Sequence, residues 1–233
     1  MTKIVVNHLT KMKHPHICVA GLDVKSNEQV RPVLQNGQLD TSMLSDNGGP
    51  FALGAVVSLG EVTDIASPPE VEDRSFAVTA ATLRAQLSGS EFWKAIDAVA
   101  QDDLTAICGE ELVETSRSFS TPAGQGSHSL GCYRPATIPT VGTDTYGKKV
   151  SVYAYMQLGG QIKKIPITDI RLVDTSFEVS TAKVQRLEKL VKAAPDILFS
   201  VGLSRPFAKS GSTEKRHWLQ INNVFVSQAP LWK

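Results

Sequence analysis

The chain is expected to be mainly β, built from small β units with a few short helices. Three observations carry this expectation. Short runs of strand-forming residues recur along the chain, separated by Gly, Pro, Asn and Ser punctuation. Only two segments show helical periodicity. The 233 residues suffice for one large β domain or two small ones.

Taken in order, Lys3–Asn7 and Ile17–Leu22 are apolar runs of strand length, with a polar loop at residues 10–16 between them. Val30–Leu34 is a third extended piece and Ala55–Leu59 a fourth. Residues 36–50 read as loop, punctuated by Asn36-Gly37 and Gly48-Gly49-Pro50. Residues 67–74, SPPEVEDR, form an acidic loop too proline-rich to pair centrally in a sheet. Ser88-x-x-Glu91 has the form of a capping box, which predicts a helix over Glu91–Ala100. Residues 115–148 are rich in Ser, Thr, Gly and Pro, with one strand-like piece at Leu130–Tyr133; this suggests a join between units 1–114 and 115–233. Lys149–Met156 alternates in the period of a half-buried strand, and Gln161–Pro166 returns after Gly159-Gly160. Ile170–Val173 is a further short strand. Thr181–Ala194 is a second helix, apolar along Val184, Leu187, Leu190, Val191 and Ala194 and basic on the other side.

Hydrophobic residues make up 42% of the chain, enough for a packed core, and no apolar run approaches the roughly 18 residues of a membrane span. Three scattered cysteines and a start without signal-peptide character fit a reducing, cytoplasmic setting. The net charge of +1 hides a division: residues 140–233 balance at +7 and residues 1–139 at −6. Any polyanion contact is therefore expected on the C-terminal part.

The stretch 197–226 concentrates candidate chemistry. It reads as two strands around a polar loop that carries Arg205, Phe207, Lys209, Lys215, Arg216, His217 and Trp218. Cations hold phosphate, and exposed rings stack bases at roughly 1–3 kcal/mol each. The hairpin at 149–166 adds a second set, Tyr153, Tyr155, Lys163 and Lys164. Arg31, Arg134 and Arg205 each precede proline at a strand end, where a guanidinium suits phosphate at a shared rim or serves as a salt-bridged surface residue. A short echo accompanies two of them: Cys18-Val-Ala-Gly-Leu22 and Phe199-Ser-Val-Gly-Leu203.

Other motifs are weaker. Gly142 to Gly147-Lys148 has the glycine and lysine spacing of a phosphate loop, but Lys149 replaces the hydroxyl residue and a strand follows, so it reads as a hairpin turn. His14-x-His16-x-Cys18 lacks a fourth metal ligand at recognisable spacing. Ser127-His128-Ser129 is not in a nucleophile elbow. Glu70, Glu72 and Asp73 form an acidic cluster that could hold magnesium and serve a metal-assisted hydrolase with a nearby His, or is simply a solvated loop.

Several stretches together are similar to a family of bacterial proteins described as containing a dual OB-fold domain. They are Lys3–Asn7 with Ile17–Gly21 and Val30–Val33; Gly49–Phe51 with Gly54 and Leu59-Gly60; Pro69-Glu70 with Glu72–Arg74; Phe92-Trp93; Ser129–Gly131; and Ser200–Pro206 with His217–Gln220. The resemblance implies two OB-like barrels and binding of nucleic acid or a nucleotide, in a bacterial defence or mobile-element setting. The leading expectation is a non-enzymatic binder of single-stranded nucleic acid or a nucleotide, without cofactor, metal or catalytic residues. The alternatives are the hydrolase above and a protein-interaction module in a defence assembly.

Overall fold

The fold is that of a computed structural model, which describes residues 1–147 and 149–233; Lys148 of the glycine-and-lysine motif lies outside the described residues. The first sheet contains β1 (Thr2–Lys11), β2 (Ile17–Asp23), β3 (Gln29–Leu34), β4 (Ala55–Gly60), β5 (Val62–Asp64), β6 (Asp73–Phe76) and β7 (Thr82–Gln86). β1 pairs antiparallel with β2 and β4, β2 with β3, and β3 runs parallel to β6. β6 pairs with β5, which continues β4 past Gly60, so the sheet closes on itself as a five-stranded barrel of the OB type. Gly60 sits at φ +75, a backbone state that suits glycine at this break. Where the sequence suggested only loop, residues 36–50 carry two short 3-10 turns, and Leu39, Met43, Leu44 and Phe51 plug the barrel.

α1 (Gly89–Asp97) follows, its capping box formed by Ser88 and Glu91 as expected. It ends before residue 100 because Ala100-Gln101, here β8, is recruited as a parallel strand beside β11. After α2 (Leu104–Cys108), β9 (Val113–Glu114) and β10 (Phe119–Pro122) come β11 (Leu130–Tyr133), β12 (Thr140–Tyr146), β13 (Lys149–Leu158), β14 (Gln161–Ile167), α3 (Thr181–Lys192), β15 (Ile197–Leu203) and β16 (Arg216–Val226). β12-β13-β14 form a meander, β14 runs parallel to β16, β16 pairs with β15 and β15 with β11. This is the same strand plan, with its first strand broken into β11 and β12. α3 lies between the third and fourth strands and sends Val184, Leu187 and Val191 into the core. The serine-rich stretch 115–148 thus holds more strand than its composition suggests. Sheet membership changes over between Gln86 and Ala100, ahead of residue 115, because Leu104, Ile107 and Leu112 pack into the second core. Ile170–Leu172, read as strand, is a 3-10 turn.

The two barrels meet back to back. β1 is buried along Ile4–Thr10, although its middle is Asn-His, because a bulge between Val6 and His8 shifts its phase. Ile4, Val6 and Leu9 face the first core, while Val5 faces the second barrel. β16 does the same: the register shifts around Asn222, so Leu219, Ile221, Val224 and Val226 face the second core and Phe225 faces the seam. The bulged stretches bond to each other. The Asn223 amide accepts from Leu9 N at 2.8 Å and donates to Leu9 O at 3.0 Å. Ser200 Oγ donates to Asn7 O at 2.6 Å, and Asn222 Nδ2 donates to His8 Nδ1 at 3.0 Å. Phe92 of α1 packs edge-on against Phe225, ring centroids 5.1 Å apart, and closes the seam with Leu22, Ile96, Cys132 and Leu198. No helix among the described residues is long and apolar enough to cross a membrane.

The seam should make stability sensitive both to Asn223 and to pH. Asn223→Ala strands both backbone groups of Leu9 and should cost about 2–4 kcal/mol by chemical denaturation, against under about 0.5 kcal/mol for Gln220→Ala on the same strand. Burial, with the nearby Arg31 cation adding to it, pushes the His8 imidazole from 6.5 down to about 3. Its folded pKa lies below its unfolded value, so its contribution is complete above pH 6.5 and is lost as pH falls toward 3. Stability should drop by about 2 kcal/mol between pH 7 and 5, and His8→Leu should flatten that slope.

Candidate binding face

In OB barrels the outer face of the second and third strands, with the loops beside it, is the usual contact surface for oligonucleotides and oligosaccharides. The two barrels differ sharply there. In the first, these strands are β2 and β3, and their outward residues are taken up by the seam. Leu22 packs among the seam apolar residues, and the buried side of Gln29 reaches Cys132 Sγ at 3.9 Å. Arg31 is 6% exposed and its Nε donates to Asp73. In the second barrel the equivalent strands are β13 and β14, and their outer face is open.

Strand alternation sorts that face. Val152, Ala154 and Met156 point into the core, so Tyr153 and Tyr155 point outward and remain partly exposed. Lys164, opposite Tyr155 in the ladder, is also outward; its Nζ lies 4.1 Å from the Tyr153 ring centroid and pairs with Asp144. The Asp144 hydrogen bond holds Lys164 above the usual lysine range. Lys163 is the opposite case. It occupies the inward phase with Ile165 and Ile167 and has no exposed side-chain surface. Its ammonium is used up by Glu114, by Thr115 O at 2.9 Å and by Gln161 Oε1 at 3.0 Å. Adjacent strand residues cannot share a face, which is why Lys163 and Lys164 part.

The loop joining β15 to β16, residues 204–215, carries the second set. Phe207 is 47% exposed and pairs through its backbone with Arg216. Trp218 Nε1 donates to Phe207 O at 3.2 Å, and the two rings lie 6.3 Å apart. Lys209 Nζ sits 3.3 Å from the Trp218 ring centroid, and partial burial lowers its pKa. Lys215 is exposed with no ion-pair partner among the described residues. Arg216 folds onto Ser120 Oγ at 2.8 Å and Glu214 at 2.5 Å. His217 is buried: Gly124 N–H donates to its Nε2 at 3.1 Å, which leaves Nδ1–H to donate to Ser204 O at 2.9 Å. It supports the loop from beneath. The two sets belong to one wall, because Lys164 N donates to Arg117 O and β10 then places Ser120 opposite Trp218.

The three Arg-Pro arginines do not share one rim: Arg31 and Arg205 meet at Asp73, and Arg134 lies elsewhere. Arg31 lies within β3, Arg134 just after β11 and Arg205 just after β15, so the sequence echo does not mark equivalent strands. Arg134 is held by Asp97, by Asp196 at 2.6 Å and by Asp102 at 3.6 Å. Arg205 is half exposed and shares Asp73 with Arg31, at 2.7 Å, while bonding Glu70 at 3.1 Å. The acidic loop of the first barrel is thereby clasped to the second. Glu72 accepts from Ser129 N and Oγ, both at 2.8 Å, and from Leu130 N at 3.0 Å. Burial raises its pKa, against the lowering effect of those bonds. All three carboxylates named for the hydrolase reading are thus engaged in joining barrels, and no group of three or more His, Cys, Asp or Glu is placed to hold a metal ion among the described residues. His14 packs on Phe177 at 5.2 Å, and Ser129 serves Glu72.

A feature with no signature in the sequence is a cleft of about 720 Å³ between the barrels, walled by Phe51 and Leu53 on one side and Ile170, Phe177 and Trp232 on the other. Its walls come from seven separate stretches of the chain, so no local motif marks it.

Two OB barrels locked back to back, one strand face covered and the other open, define a dual OB-barrel protein. The chain matches the family described as dual OB-containing domain over residues 3–224 and belongs to that family. No curated protein matches it. Glu72→Ala, which strands three donors at the clasp, should cost about 3 kcal/mol in chemical denaturation, equally with and without added magnesium.

Proposed function

We propose that the chain binds single-stranded nucleic acid through the open wall of its second barrel, without performing chemistry on it. What supports the reading is that Tyr153, Tyr155 and Lys164 face outward on β13–β14, while Trp218, with Phe207 and Lys209 against it, stands on β16, linked to β14 through residues 117–120, with Lys215 exposed near by. Rings with cations beside them suit a flexible polyanion with unpaired bases. Arg205 and Arg216 border this wall with part of their hydrogen-bonding capacity already used. Arg31, Lys163 and His217 contribute by holding the scaffold, and Arg134 serves an acidic cluster beside α1.

Fluorescence anisotropy with labelled single-stranded DNA and RNA of about 15 nucleotides tests this. Affinity should fall steeply between 50 and 200 mM salt, and replacing Lys164 and Lys215 with alanine should reduce the log–log salt slope by about 0.7 for each phosphate no longer neutralised. Trp218→Ala should weaken binding by about 5- to 100-fold. Affinity that is absent, or indifferent to salt, would overturn the reading.

A further inference from the structure

The rings on this wall are not equally available. Lys164 covers Tyr153, and Lys209 covers Trp218 with its ammonium 3.3 Å from the ring centroid. No cation lies over Tyr155 among the described residues, and this ring has a different neighbour. A Cβ added to Gly142 on β12 would stand 3.2 Å from Tyr155 Cε2. The tyrosine therefore leans across the strand toward a position with no side chain, with the Cδ2–Cε2 edge of its ring over β12. Gly142 belongs to the glycine-and-lysine motif of the sequence, where it has the spacing of a phosphate loop; in the fold it is a shelf for a ring.

A lysine over a ring is held by the negative face of the π system. A phosphate is a stronger partner for that ammonium than a ring is. Lys164 is also held by Asp144, but Lys209 has only the ring among the described residues; an anion brought close to Lys209 would draw it off and bare Trp218 beneath, whereas a neutral flat molecule would have to displace it without compensation. We propose that Lys209 is a specificity-determining gate, restricting this wall to ligands that carry a phosphate beside an unpaired base, and that Tyr155 beside Gly142 is the stacking ring open before binding. The inference rests on the single-strand reading and extends it from charge attraction to a coupled exchange: lysine leaves ring for phosphate, and base takes the ring.

The test has a ligand-free arm and a binding arm. Without ligand, acrylamide quenching of Trp218, isolated by difference against Trp218→Phe, should rise at least twofold in Lys209→Ala; an unchanged constant overturns the gate. In the binding arm, oligothymidylate, an abasic oligonucleotide of the same length and free thymidine are compared. The abasic strand should bind at least about fivefold more weakly than oligothymidylate. Thymidine should quench Trp218 in Lys209→Ala and not in the unaltered protein. Gly142→Val should bring oligothymidylate toward the abasic affinity while leaving the abasic strand unchanged, and Tyr155→Ala should do the same should the valine variant fold poorly. Equal binding of abasic and base-bearing strands overturns this inference and leaves an electrostatic wall standing. Binding of neither strand overturns the wall itself.

Discussion

The whole arrangement depends on one seam, where β1 of the first barrel lies against β15 and β16 of the second. A closed barrel needs no partner, since all its strand edges are paired. These two barrels are nonetheless joined through strands buried on both sides. The device is a bulge in each, at Asn7 and around Asn222, which turns polar residues toward the partner without disturbing the core phase on either side. The Asn223 amide then pairs with Leu9 as a strand neighbour would. A buried backbone group left without such a partner is costly, so the seam has a single workable register. His8, neutral in this dry setting, ties its stability to pH.

That seam decides which surface is free. It consumes the outer faces of β2 and β3 and leaves β13 and β14 open, so two barrels of similar plan serve different ends. The first braces; the second presents. The charge division along the chain has a matching double origin. Part of the acidic excess is spent internally, with Glu70 and Asp73 taking Arg205 while Asp97 and Asp102 take Arg134. On the outer wall of the second barrel Lys164 lies over Tyr153 while paired with Asp144, and Lys209 is held by the Trp218 ring.

Much of this was readable in the residues. Strand-forming runs, the capping box at Ser88 and the apolar stripe of Thr181–Ala194 are local signals and needed no context. Other elements were hidden because their signal is not local. Ser120 and Thr121 sit in a polar stretch, yet pairing with Trp218 and His217 makes it a strand. Lys163 and Lys164 look alike in sequence, and only the phase of the barrel separates a buried cation from an exposed one. Glu72 looked like part of a solvated or metal-holding loop until Ser129 closed over it.

Composition and periodicity by themselves determined that this is a β protein with two helices of note, and that its cations and rings gather toward the C-terminal part. Those properties follow from side-chain chemistry and the two-residue repeat of a strand, which act at short range. Which cations face solvent, which carboxylates are already engaged and which barrel keeps an open face were decided by the tertiary structure. These depend on long-range pairing and on burial, and residues far apart in the chain, such as Leu9 and Asn223 or Glu72 and Ser129, settle them only when the fold brings them together.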